Sequence, residues 1–490
     1  MNAKPICLII PPSPFLLDER VFMSLGILRV AAVLEKAGHE VEVLDLSGIE
    51  NYLDAVNDYC RRTDAETFCL TATTPQMPSA VEIANRITLG HPNPRIVLGG
   101  PHPTLVYAAV KKGSRRAQTA LYGLKSMFDV VVTGDGEEAI FRALERGCDR
   151  LIDADNPHSN LFLTNEKLNE LPFPARHLVD MDSYHYFIDG ERATSLICQL
   201  GCPFGCGFCG GRASPMLRRV RTRTTESVVS ELRHLYETYG YKGFMLYDDE
   251  LNVNPQMIPM MEAIHDLQVE LGVEFKLRGF IKAQLFTSAQ ARAMYRAGFR
   301  WILTGFESGS PRILTNIQKR ASREDNTRCV QIAKNHGLKV KALMSIGHPG
   351  ESEETISETR SWLLENKPED FDVTIITPYP GSPYYDEAVE ENGHWTYTFK
   401  QTGDRLYARE VDYFKTADYY KGDPNGGYVS YVWTDHLSCQ DLVRERDQLE
   451  RDVRRVLRIP FNPASPSVRF EHSMGQGLPQ KILKKSLQVA

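Results

Sequence analysis

The sequence predicts an α/β protein with a doubly wound, Rossmann-like parallel sheet at the N-terminus, a full or partial TIM-like β/α barrel after it, and a small C-terminal element. Short β-rich runs alternate with amphipathic stretches in two separate sections, and a stretch rich in Pro, Asn and Asp without periodicity lies between them. At 490 residues the chain is also too long for one core. We therefore expect a first domain at 1–150, a linker at 151–190, a barrel at 191–400 and a C-terminal element at 401–490.

The first section alternates apolar strand patterns with amphipathic helix patterns. It runs from ICLII through LGILRVAAVLEKAG to EVEVLDL, AETFCLTA, SAVEIANRIT, RIVLGG and FDVVVTG. A doubly wound sheet binds its ligand outside the carboxyl ends of its strands. The candidate binding loops are therefore those that follow the strands: PPSPFLLDERVFMS, TATTPQMPS, GGPHPT and TGDGEEA. Gly and Pro in these loops are also what ordinary turns require.

The second section repeats this alternation. Each helix pattern is followed by a strand pattern: ESVVSELRHLYETYG by FMLYDDE, SAQARAMYRAG by RWILTGFESGS, REDNTRCVQIAKNHG by KVKALMSIGHPGE, and SEETISETRSWLLENK by FDVTIITPYPGS. The run of β/α units predicts a barrel, in which functional groups belong at the carboxyl ends of the strands.

The C-terminal element has a different composition. CQDLVRERDQLERDVRRVL predicts one amphipathic helix, and the final KILKKSLQVA predicts a solvated basic end. The stretch before the helix is rich in aromatic residues, which either line a pocket for a flat or apolar group or form core. Five of them stand out: Tyr419, Tyr420, Tyr428, Tyr431 and Trp433.

Composition limits the classes of partner. The net charge is −6 and no dense Lys/Arg tract precedes the tail, so we expect no nucleic-acid partner. No stretch approaches membrane-spanning length, and the apolar run near the N-terminus ends at Pro11 and Pro12. We expect a cytoplasmic monomer that acts on a small molecule.

Four of the ten cysteines are clustered. Cys202, Cys206 and Cys209 form C-x3-C-x2-C, and three thiolates on one tight loop need a soft metal to neutralise their repulsion. A zinc site requires a fourth Cys or His at matched spacing, and none follows. Cys198 can be a fourth ligand, but SLICQ has the pattern of a strand, in which a buried thiol is expected. Three ligands suit an iron–sulfur cluster with one open iron.

The motif C-x3-C-x-Φ-C, with the aromatic Phe208 before the last cysteine, resembles the signature of the radical S-adenosylmethionine (radical SAM) enzymes. The N-terminal section is similar to the cobalamin-binding domain that precedes the barrel in a large subfamily, on the strength of SLGILRVAAVLEKAGHEVEVLDL, GGPHPT and VVTGDGEEAI. Together the two resemblances cover residues 5 to about 380. They imply a [4Fe–4S] cluster on Cys202, Cys206 and Cys209, S-adenosylmethionine, cobalamin carried as methylcobalamin, and an external electron donor such as flavodoxin or ferredoxin.

The resemblance also assigns contacts with S-adenosylmethionine. The acids after FMLY are expected near its amino group, an arginine can pair with its carboxylate, GFESGS resembles the ribose-contacting element, and SIGHPGE resembles the element that passes the adenine. The implied contact residues are Asp248, Asp249, Glu250, Arg278, Glu307, Ser308 and Gly347.

For cobalamin the resemblance implies contacts in the loops after the first-section strands. They are Thr71, Thr73, Gly99, Gly100, Pro101, Gly134, Gly136 and Glu137. The sequence departs from the family in one respect, since many such domains carry Asp-x-His-x-x-Gly after the first strand and the corresponding loop here has no histidine. We therefore expect cobalt to lack a protein imidazole. His102 is a remote alternative ligand, and a loop hydrogen-bonding role suits it better.

The implied activity is C-methylation of a small natural-product intermediate. The reduced cluster cleaves S-adenosylmethionine to a 5'-deoxyadenosyl radical, which removes hydrogen from an unactivated carbon, and the substrate radical takes a methyl group from methylcobalamin. Reduced cob(I)alamin is then remethylated by a second S-adenosylmethionine, which leaves S-adenosylhomocysteine. Two alternatives stay open: a radical cyclase or oxidoreductase that transfers no methyl group, and a binding protein whose structural cluster uses Cys198 as a fourth ligand.

Overall fold

The computed structural model describes residues 4–423, 426–461 and 483–488. These residues form a parallel sheet between helices, then a curved parallel sheet, then an antiparallel sheet with one long helix. The predicted α/β fold, with a Rossmann-like sheet followed by a partial barrel, is confirmed.

The first part, here called the N-terminal unit, is a six-stranded parallel sheet covered by helices. Its strands are β1 Ile6–Ile10, β2 Val41–Asp45, β3 Thr67–Thr71, β4 Arg95–Gly99, β5 Val130–Gly134 and β6 Leu151–Ala154. Its helices are α1 Leu25–Lys36, α2 Tyr52–Arg62, α3 Met77–Gly90, α4 Pro101–Lys111, α5 Arg115–Met127 and α6 Gly136–Leu144. The strand order is β2-β1-β3-β4-β5-β6, so the direction of winding reverses at β1. The loops after β1 and β3 therefore border a crevice at the carboxyl edge.

Both faces of this sheet are buried, which explains why its strands are nearly continuous apolar runs. Every residue of β1 is buried. Cys7 and Ile9 pack in a core that includes α2 and α3, whereas Ile6, Leu8 and Ile10 pack in a second core that includes α1 and α6. The two-residue period of a strand divides the side chains in this way.

Two details of this unit differ from the sequence-based expectation. The linker is expected to begin at residue 151, whereas Leu151–Ala154 add a sixth strand to the sheet. GGPHPT is expected as a loop, but α4 begins at Pro101 within it. Proline is favoured at the first helical position because its missing N–H has no partner there, and this signal identifies the helix start.

The second part, the barrel unit, follows a connection that contains α7 Asn165–Glu170 and opens with β7 Tyr186–Ile188 and β8 Glu191–Leu196. Three short elements come next: β9 Gln199–Leu200, α8 Pro215–Arg218 and β10 Arg221–Thr222. The remaining elements alternate in order: α9 Thr225–Tyr239, β11 Gly243–Leu246, α10 Met257–Leu271, β12 Lys276–Phe280, α11 Ser288–Arg296, β13 Phe299–Glu307, α12 Pro311–Asn316, α13 Arg323–Asn335, β14 Lys339–Ile346, α14 Glu353–Asn366 and β15 Asp370–Ile375.

The barrel sheet is open rather than closed. Its order is β15-β14-β13-β12-β11-β8-β7, with six parallel strands and an antiparallel β7 at one edge. The apolar residues of its outer face and of its helices form one large core. Because the six strands are parallel, their carboxyl ends form a single rim. SLICQ is only partly strand, since β8 ends at Leu196 and Cys198 lies just beyond it.

The C-terminal element closes one edge of the barrel unit. It contains α15 Pro383–Asp386, β16 Val389–Glu391, β17 His394–Thr398, β18 Arg405–Ala408, β19 Val432–Thr434 and α16 Cys439–Leu457. The antiparallel sheet has the order β16-β17-β18-β19, and its first strand begins before the expected boundary at 401. From α16, Arg446 and Arg454 donate hydrogen bonds to the carbonyl oxygens of Val373 and Phe371, which covers the exposed edge of β15.

The described part of the tail is exposed to solvent at residues 484–488, as expected, but its backbone is bound to the N-terminal unit. The N–H groups of Leu483 and Lys485 donate to the carbonyl oxygens of Leu17 and Gly48 at 2.8 and 2.9 Å. Residues 483–488 therefore lie against the loops that follow β1 and β2. The rest of KILKKSLQVA, at 481–482 and 489–490, lies outside the described residues.

Candidate active site

The N-terminal unit has a cavity of about 300 Å³ at the carboxyl ends of its strands. All eight residues expected to contact cobalamin line it: Thr71, Thr73, Gly99, Gly100, Pro101, Gly134, Gly136 and Glu137. Most of the remaining wall is apolar, with Leu8, Ile27 and Val132 among its residues. Ile197 and Met216 of the barrel unit also line the cavity, so it lies where the two units meet.

Two glycines let the backbone approach this cavity closely. Gly100 and Gly134 have φ of 98° and 88°, a left-handed conformation that other residues rarely adopt. A Cβ on Gly100 would lie 2.6 Å from Thr71 Oγ1, and one on Gly134 would lie 2.2 Å from the backbone nitrogen of Asp155. Neither position accommodates a side chain without displacing its neighbours.

Histidine is absent from the described wall of the cavity. His102 is fully buried in the first turn of α4, where its Nδ1 lies 3.1 Å from Thr74 Oγ1 and its ring contacts Tyr413. Burial lowers the pKa of its imidazole to about 3, so the ring is neutral. His102 therefore has the hydrogen-bonding role expected from the sequence, but it lies in a helix rather than in a loop.

The three clustered cysteines lie on one loop at the barrel rim, residues 202–209, here called the cysteine loop. The N–H of Cys202 donates to the carbonyl of Leu217 at 2.9 Å, and that of Gly207 donates to the carbonyl of Ile317 at 2.8 Å. Burial raises the pKa of Cys202. Desolvation of its thiol raises the pKa of Cys209 to about 11, although the residue as a whole is exposed, and the neighbouring Cys206 and Cys202 add to this rise. The loop thus holds three thiols within electrostatic reach of one another. A bound cation is needed for all three to be present as thiolates.

Among the described residues, no three Cys, His, Asp or Glu side chains converge as ligands of a single metal ion. A four-iron cluster has a different requirement, because each thiolate binds a different iron. The donor set of the cysteine loop, three thiols and no fourth ligand on the loop, suits a cluster with one open iron.

Cys198 is separate from this donor set. It is fully buried, its N–H donates to Asp248 Oδ1 at 2.6 Å, and burial raises the pKa of its thiol well above the ordinary value. Its main electrostatic neighbours are Asp248, Arg223 and Glu231 rather than the loop cysteines. This is the environment of a buried structural thiol.

The three acids after β11 have different surroundings. Asp248 Oδ1 accepts the N–H groups of Cys198 and Gln199, and Asp249 Oδ2 accepts that of Gly201 at 3.1 Å. Both side chains thereby fix the backbone that enters the cysteine loop. Glu250 is different, because its Oε1 lies 4.0 Å from Nζ of the buried Lys282. Burial raises the pKa of Glu250 to about 7.

A second acid and base pair lies at the ends of β13 and β14. Glu307 Oε1 accepts a hydrogen bond from Lys319 Nζ at 2.9 Å, and Glu307 Oε2 accepts one from Ser345 Oγ at 2.8 Å. Lys319 and Ser345 lower the pKa of Glu307 despite its burial. Ser345 Oγ also lies 2.8 Å from His348 Nε2, and His348 Nδ1 lies 3.2 Å from the hydroxyl of Tyr384. This network connects the end of β13 to the C-terminal element.

Ser308 and Gly347 flank this network without belonging to it. The hydroxyl of Ser308 lies 3.0 Å from that of Thr359 in α14, so it is directed at the helix layer. Gly347 follows β14 with φ of 86°, and its N–H donates to the buried Glu351 at 3.1 Å. That bond holds the loop after β14 against the rim.

Arg278 lies in the middle of β12, below the rim. Its Nη1 lies 3.5 Å from the hydroxyl of Tyr186, its Nη2 lies 3.7 Å from Asp189 Oδ1, and its guanidinium stands over the ring of Trp301. Lys282 comes four residues later, beyond the strand end, where Asn252 holds its backbone through two hydrogen bonds. Sequence reasoning missed Lys282, Lys319 and His348. Each lies just after a predicted or observed element of the barrel, and a polar residue at such a position is a signal for a functional site.

The segment that follows the cysteine loop is bound to the strand ends of the N-terminal unit. Asp155 Oδ1 accepts hydrogen bonds from Ser214 Oγ and from the N–H of Met216, each at 2.7 Å. Arg221 Nη1 donates to Asp135 Oδ2 at 2.6 Å, and both side chains are buried. These contacts fix the segment after the cysteine loop against the strand ends of the first sheet.

Aromatic rings from all three parts of the chain contact one another. Phe22 packs on Tyr247 with ring centroids 5.1 Å apart, and Phe15 packs on Tyr420 at 5.0 Å. Tyr247 is 41% exposed, and partial desolvation raises the pKa of its hydroxyl to about 12. By contrast, Tyr419 and Tyr428 are buried and form core.

Two family models match the chain. The model described as the radical SAM superfamily matches residues 196–363, which run from the end of β8 into α14, and the model described as the B12 binding domain matches residues 19–144 of the N-terminal unit. Each helix among residues 4–423, 426–461 and 483–488 is too short or too polar to span a bilayer.

Similar proteins share this arrangement. An uncharacterized methyltransferase from Pyrococcus horikoshii is 25% identical over 94% of this chain and its own full length. An anaerobic magnesium-protoporphyrin IX monomethyl ester cyclase from Rubrivivax gelatinosus is 24% identical over 72% of this chain and 64% of its own. The solved structure of TsrM, a radical S-adenosylmethionine methyltransferase from Kitasatospora setae with cobalamin and a [4Fe–4S] cluster bound, matches with a TM-score of 0.67 at 15% identity, over 94% of this chain and 92% of TsrM. At this identity the match establishes a common fold.

Proposed function

We propose that the protein is a cobalamin-dependent methyltransferase that modifies an unactivated carbon of a small natural-product-type molecule. The chain belongs to the radical SAM enzymes with an N-terminal B12-binding domain. The observation that carries the proposal is the junction between the cysteine loop and the strand-end cavity. Asp155 and Asp135 bind the segment after Cys209 directly. Methyl transfer from a cobalamin requires the radical centre and the methyl donor to share one reaction space, and this junction suits that requirement.

The cofactors are a [4Fe–4S] cluster, S-adenosylmethionine and cobalamin. When bound, the cluster and S-adenosylmethionine supply a 5'-deoxyadenosyl radical and cobalamin supplies a methyl group. Cys202, Cys206 and Cys209 would hold the cluster and leave one iron for the amino acid end of S-adenosylmethionine. Their mutual repulsion as free thiolates supports this assignment.

Lys282 is the proposed partner of the S-adenosylmethionine carboxylate, in place of Arg278. Lys282 is 2% exposed, lies beyond the end of β12 and is within electrostatic reach of Cys202 and Cys206. Its nearest acid, Glu250, is 4.0 Å away. Tyr186 and Asp189 already engage Arg278 lower in the barrel.

Glu250 and Glu307 are the proposed polar contacts for the amino group and the ribose. Both lie at strand ends, and each stands beside a lysine that keeps the local charge balanced. Asp248 and Asp249 act indirectly, because their carboxylates position the backbone before Cys202. The loop after β14, which turns at the left-handed Gly347, is the proposed contact of the adenine.

Cobalamin is proposed to occupy the strand-end cavity with its eight predicted contact residues. The left-handed Gly100 and Gly134 allow the backbone to approach a large ligand. Since His102 is buried outside the described wall, no imidazole from it serves cobalt. An absorption spectrum of the bound cofactor that indicates nitrogen ligation by the protein would overturn this part of the proposal.

The proposed overall reaction needs two equivalents of S-adenosylmethionine and two electrons for each substrate C–H bond. The products are the methylated substrate, S-adenosylhomocysteine, methionine and 5'-deoxyadenosine. The substrate hydrogen ends on 5'-deoxyadenosine and the methyl group replaces it on carbon. An external donor such as flavodoxin or ferredoxin is the proposed source of the electrons.

The test uses full-length protein reconstituted without oxygen with iron, sulfide, cobalamin and S-adenosylmethionine, then reduced. Mass spectrometry should detect both 5'-deoxyadenosine and S-adenosylhomocysteine, and the second product should disappear when cobalamin is omitted. A Cys206→Ala control should form no 5'-deoxyadenosine. Absence of both products from protein with a complete cluster would reject the proposal.

A second candidate is a radical cyclase or oxidoreductase, favoured by the match to the Rubrivivax gelatinosus cyclase over 72% of the chain. The same residues would hold the cofactors, and only the fate of the substrate radical would differ. Formation of 5'-deoxyadenosine without S-adenosylhomocysteine, in the presence of cobalamin, would favour this candidate over the methyltransferase.

A further inference from the structure

Arg29 is a buried cation in the wall of the strand-end cavity. It lies in α1, its side chain lines the cavity beside Gly26 and Val30, and the residue is 5% exposed. Within the part of the chain that the structure describes, its guanidinium has no hydrogen bond and no acid within the 4.0 Å of an ion pair. A guanidinium carries five N–H donors, so this site has unused donors directed into a largely apolar cavity.

Such a cation is costly unless something compensates its charge. Burial lowers the pKa of Arg29, and Glu137 is the group that opposes this effect most. Because Glu137 lies beyond ion-pair distance, it compensates Arg29 only partly. An isolated buried charge is rarely retained without a partner, and here the partner can come from a ligand.

The neighbouring charges do not remove the imbalance. Arg29 is within electrostatic reach of Arg176, Arg223, Glu231 and Glu137. Glu231 is shared by Arg176, at 2.8 Å, and by Arg223. The group therefore holds three guanidinium cations against two carboxylates, an excess of one positive charge inside the protein.

We propose that Arg29 binds the phosphodiester of the nucleotide tail of cobalamin, an inference that rests on the proposed function. Cobalamin carries one phosphodiester, with a single negative charge, between its corrin ring and its terminal base, whereas its other side chains are neutral amides. A planar guanidinium binds phosphate through two parallel hydrogen bonds. One anionic charge also matches the local excess of one cation.

The surrounding wall fits the rest of the same tail. Leu8, Val97 and Ile140 line the same cavity as Arg29, and apolar walls suit a flat heterocyclic base. Glu137, at the first turn of α6, lines the cavity as well and is the acid with the largest electrostatic effect on Arg29. A ligand that places an anion elsewhere would leave Arg29 uncompensated.

The test measures dissociation constants of three corrinoids by absorption titration of full-length protein: cobalamin, cobinamide phosphate and cobinamide. Cobinamide lacks the whole tail, and cobinamide phosphate restores the phosphate without the base. Arg29→Gln should weaken cobalamin and cobinamide phosphate by about 10- to 100-fold. It should change cobinamide binding by less than about 3-fold, because cobinamide has no phosphate to accept a charge-assisted hydrogen bond from Arg29.

Arg29→Lys is the matched variant, since it keeps the charge and loses the planar pair of donors. Arg29→Lys should weaken the binding of only the two phosphate-bearing corrinoids, and by less than Arg29→Gln does. If circular dichroism shows that Arg29→Gln does not fold, Arg29→Lys provides the test. Equal weakening of all three corrinoids, or weakening of cobalamin alone, would overturn the inference. Unchanged cobalamin binding would overturn it and leave the proposed function intact, whereas wild-type protein that binds no corrinoid would reject both.

Discussion

The carboxylate of Asp155 accepts a 2.7 Å hydrogen bond from the hydroxyl of Ser214. Asp155 follows the last strand of the first sheet, and Ser214 follows the last cysteine of the motif by five residues. The same carboxylate oxygen accepts the N–H of Met216. One buried acid thus fixes the position of the cysteine loop relative to the cavity of the N-terminal unit.

Asp155→Ala should reduce the binding of both cofactors. The substitution leaves two buried donors without an acceptor, which costs about 3 kcal/mol of unfolding free energy. We expect lower iron content after reconstitution and a higher cobalamin dissociation constant. Asp149→Ala, at an exposed aspartate of the same region, is the control and should change neither quantity. If Asp155→Ala retained both, the two units would be held together by other contacts.

Cys206→Ala should abolish the visible absorption of the cluster and the formation of 5'-deoxyadenosine. The N-terminal sheet should remain folded, because its two apolar cores contain no residue of the cysteine loop. Iron analysis and far-UV circular dichroism check the two statements. Cys198→Ala is the control and should keep the cluster, since that thiol is buried beside Asp248. Loss of the cluster in Cys198→Ala would instead make Cys198 a fourth ligand.

Glu307→Gln should weaken S-adenosylmethionine binding by about 10-fold or more, the usual effect of losing a hydrogen bond to a charged group. The variant also leaves Lys319 without its ion-pair partner. Anaerobic equilibrium dialysis with labelled S-adenosylmethionine measures the effect, at iron content matched to wild type. Ser308→Ala should bind normally, because its hydroxyl contacts Thr359. A larger loss in Ser308→Ala than in Glu307→Gln would contradict the assignment.

Gly100→Ala should destabilise the N-terminal unit by about 2 kcal/mol and weaken cobalamin binding. The new Cβ would lie 2.6 Å from Thr71 Oγ1 at a φ of 98°. Gly26→Ala, in the wall of the same cavity, meets nothing within 4 Å and should be neutral or stabilising by up to about 1 kcal/mol. Thermal unfolding and cobalamin titration of both variants make the comparison, and equal effects would argue against a steric cause.

His348 should make stability depend on pH below neutrality. Burial lowers the pKa of its imidazole from 6.5 to about 4, so between these values the unfolded chain binds a proton that the folded chain does not. The stability is therefore present above pH 6.5 and is lost as pH falls towards 4, by up to about 3 kcal/mol. Urea unfolding of wild type and His348→Gln at pH 7 and pH 5 should give a shallower pH dependence for the variant. The pKa of His102 is also lowered, so it makes the free energy of unfolding depend on pH in the same direction, but it is present in both proteins. An identical pH dependence of the two proteins would exclude a contribution from His348.

Much of the fold follows from local patterns in the sequence. The apolar run ICLII and the helix pattern of CQDLVRERDQLERDVRRVL correspond to β1 and α16 at their full lengths. The element boundaries at Pro101 and Leu151 differ from the expectation, because a short apolar or proline-containing segment is compatible with a loop until its neighbours are known. The sequence predicts that strand-end residues such as Gly100 and Gly134 lie together, because parallel strands bring their carboxyl ends to one edge of the sheet whatever their order, and both line the cavity.

By itself the sequence determined the cofactor set of the protein, because the spacing of Cys202, Cys206 and Cys209 and the glycine-rich strand ends are local features. Tertiary structure alone decided which charged groups are available to ligands. Sequence reasoning predicts Arg278 as the anion partner and misses Lys282. In the structure Tyr186 and Asp189, distant in the chain, engage Arg278, and Lys282 lies at the rim. No local sequence pattern distinguishes Arg29 either, and only the fold places it in the wall of a cavity. The partners of a buried charge are set by packing between distant segments, which no local pattern encodes.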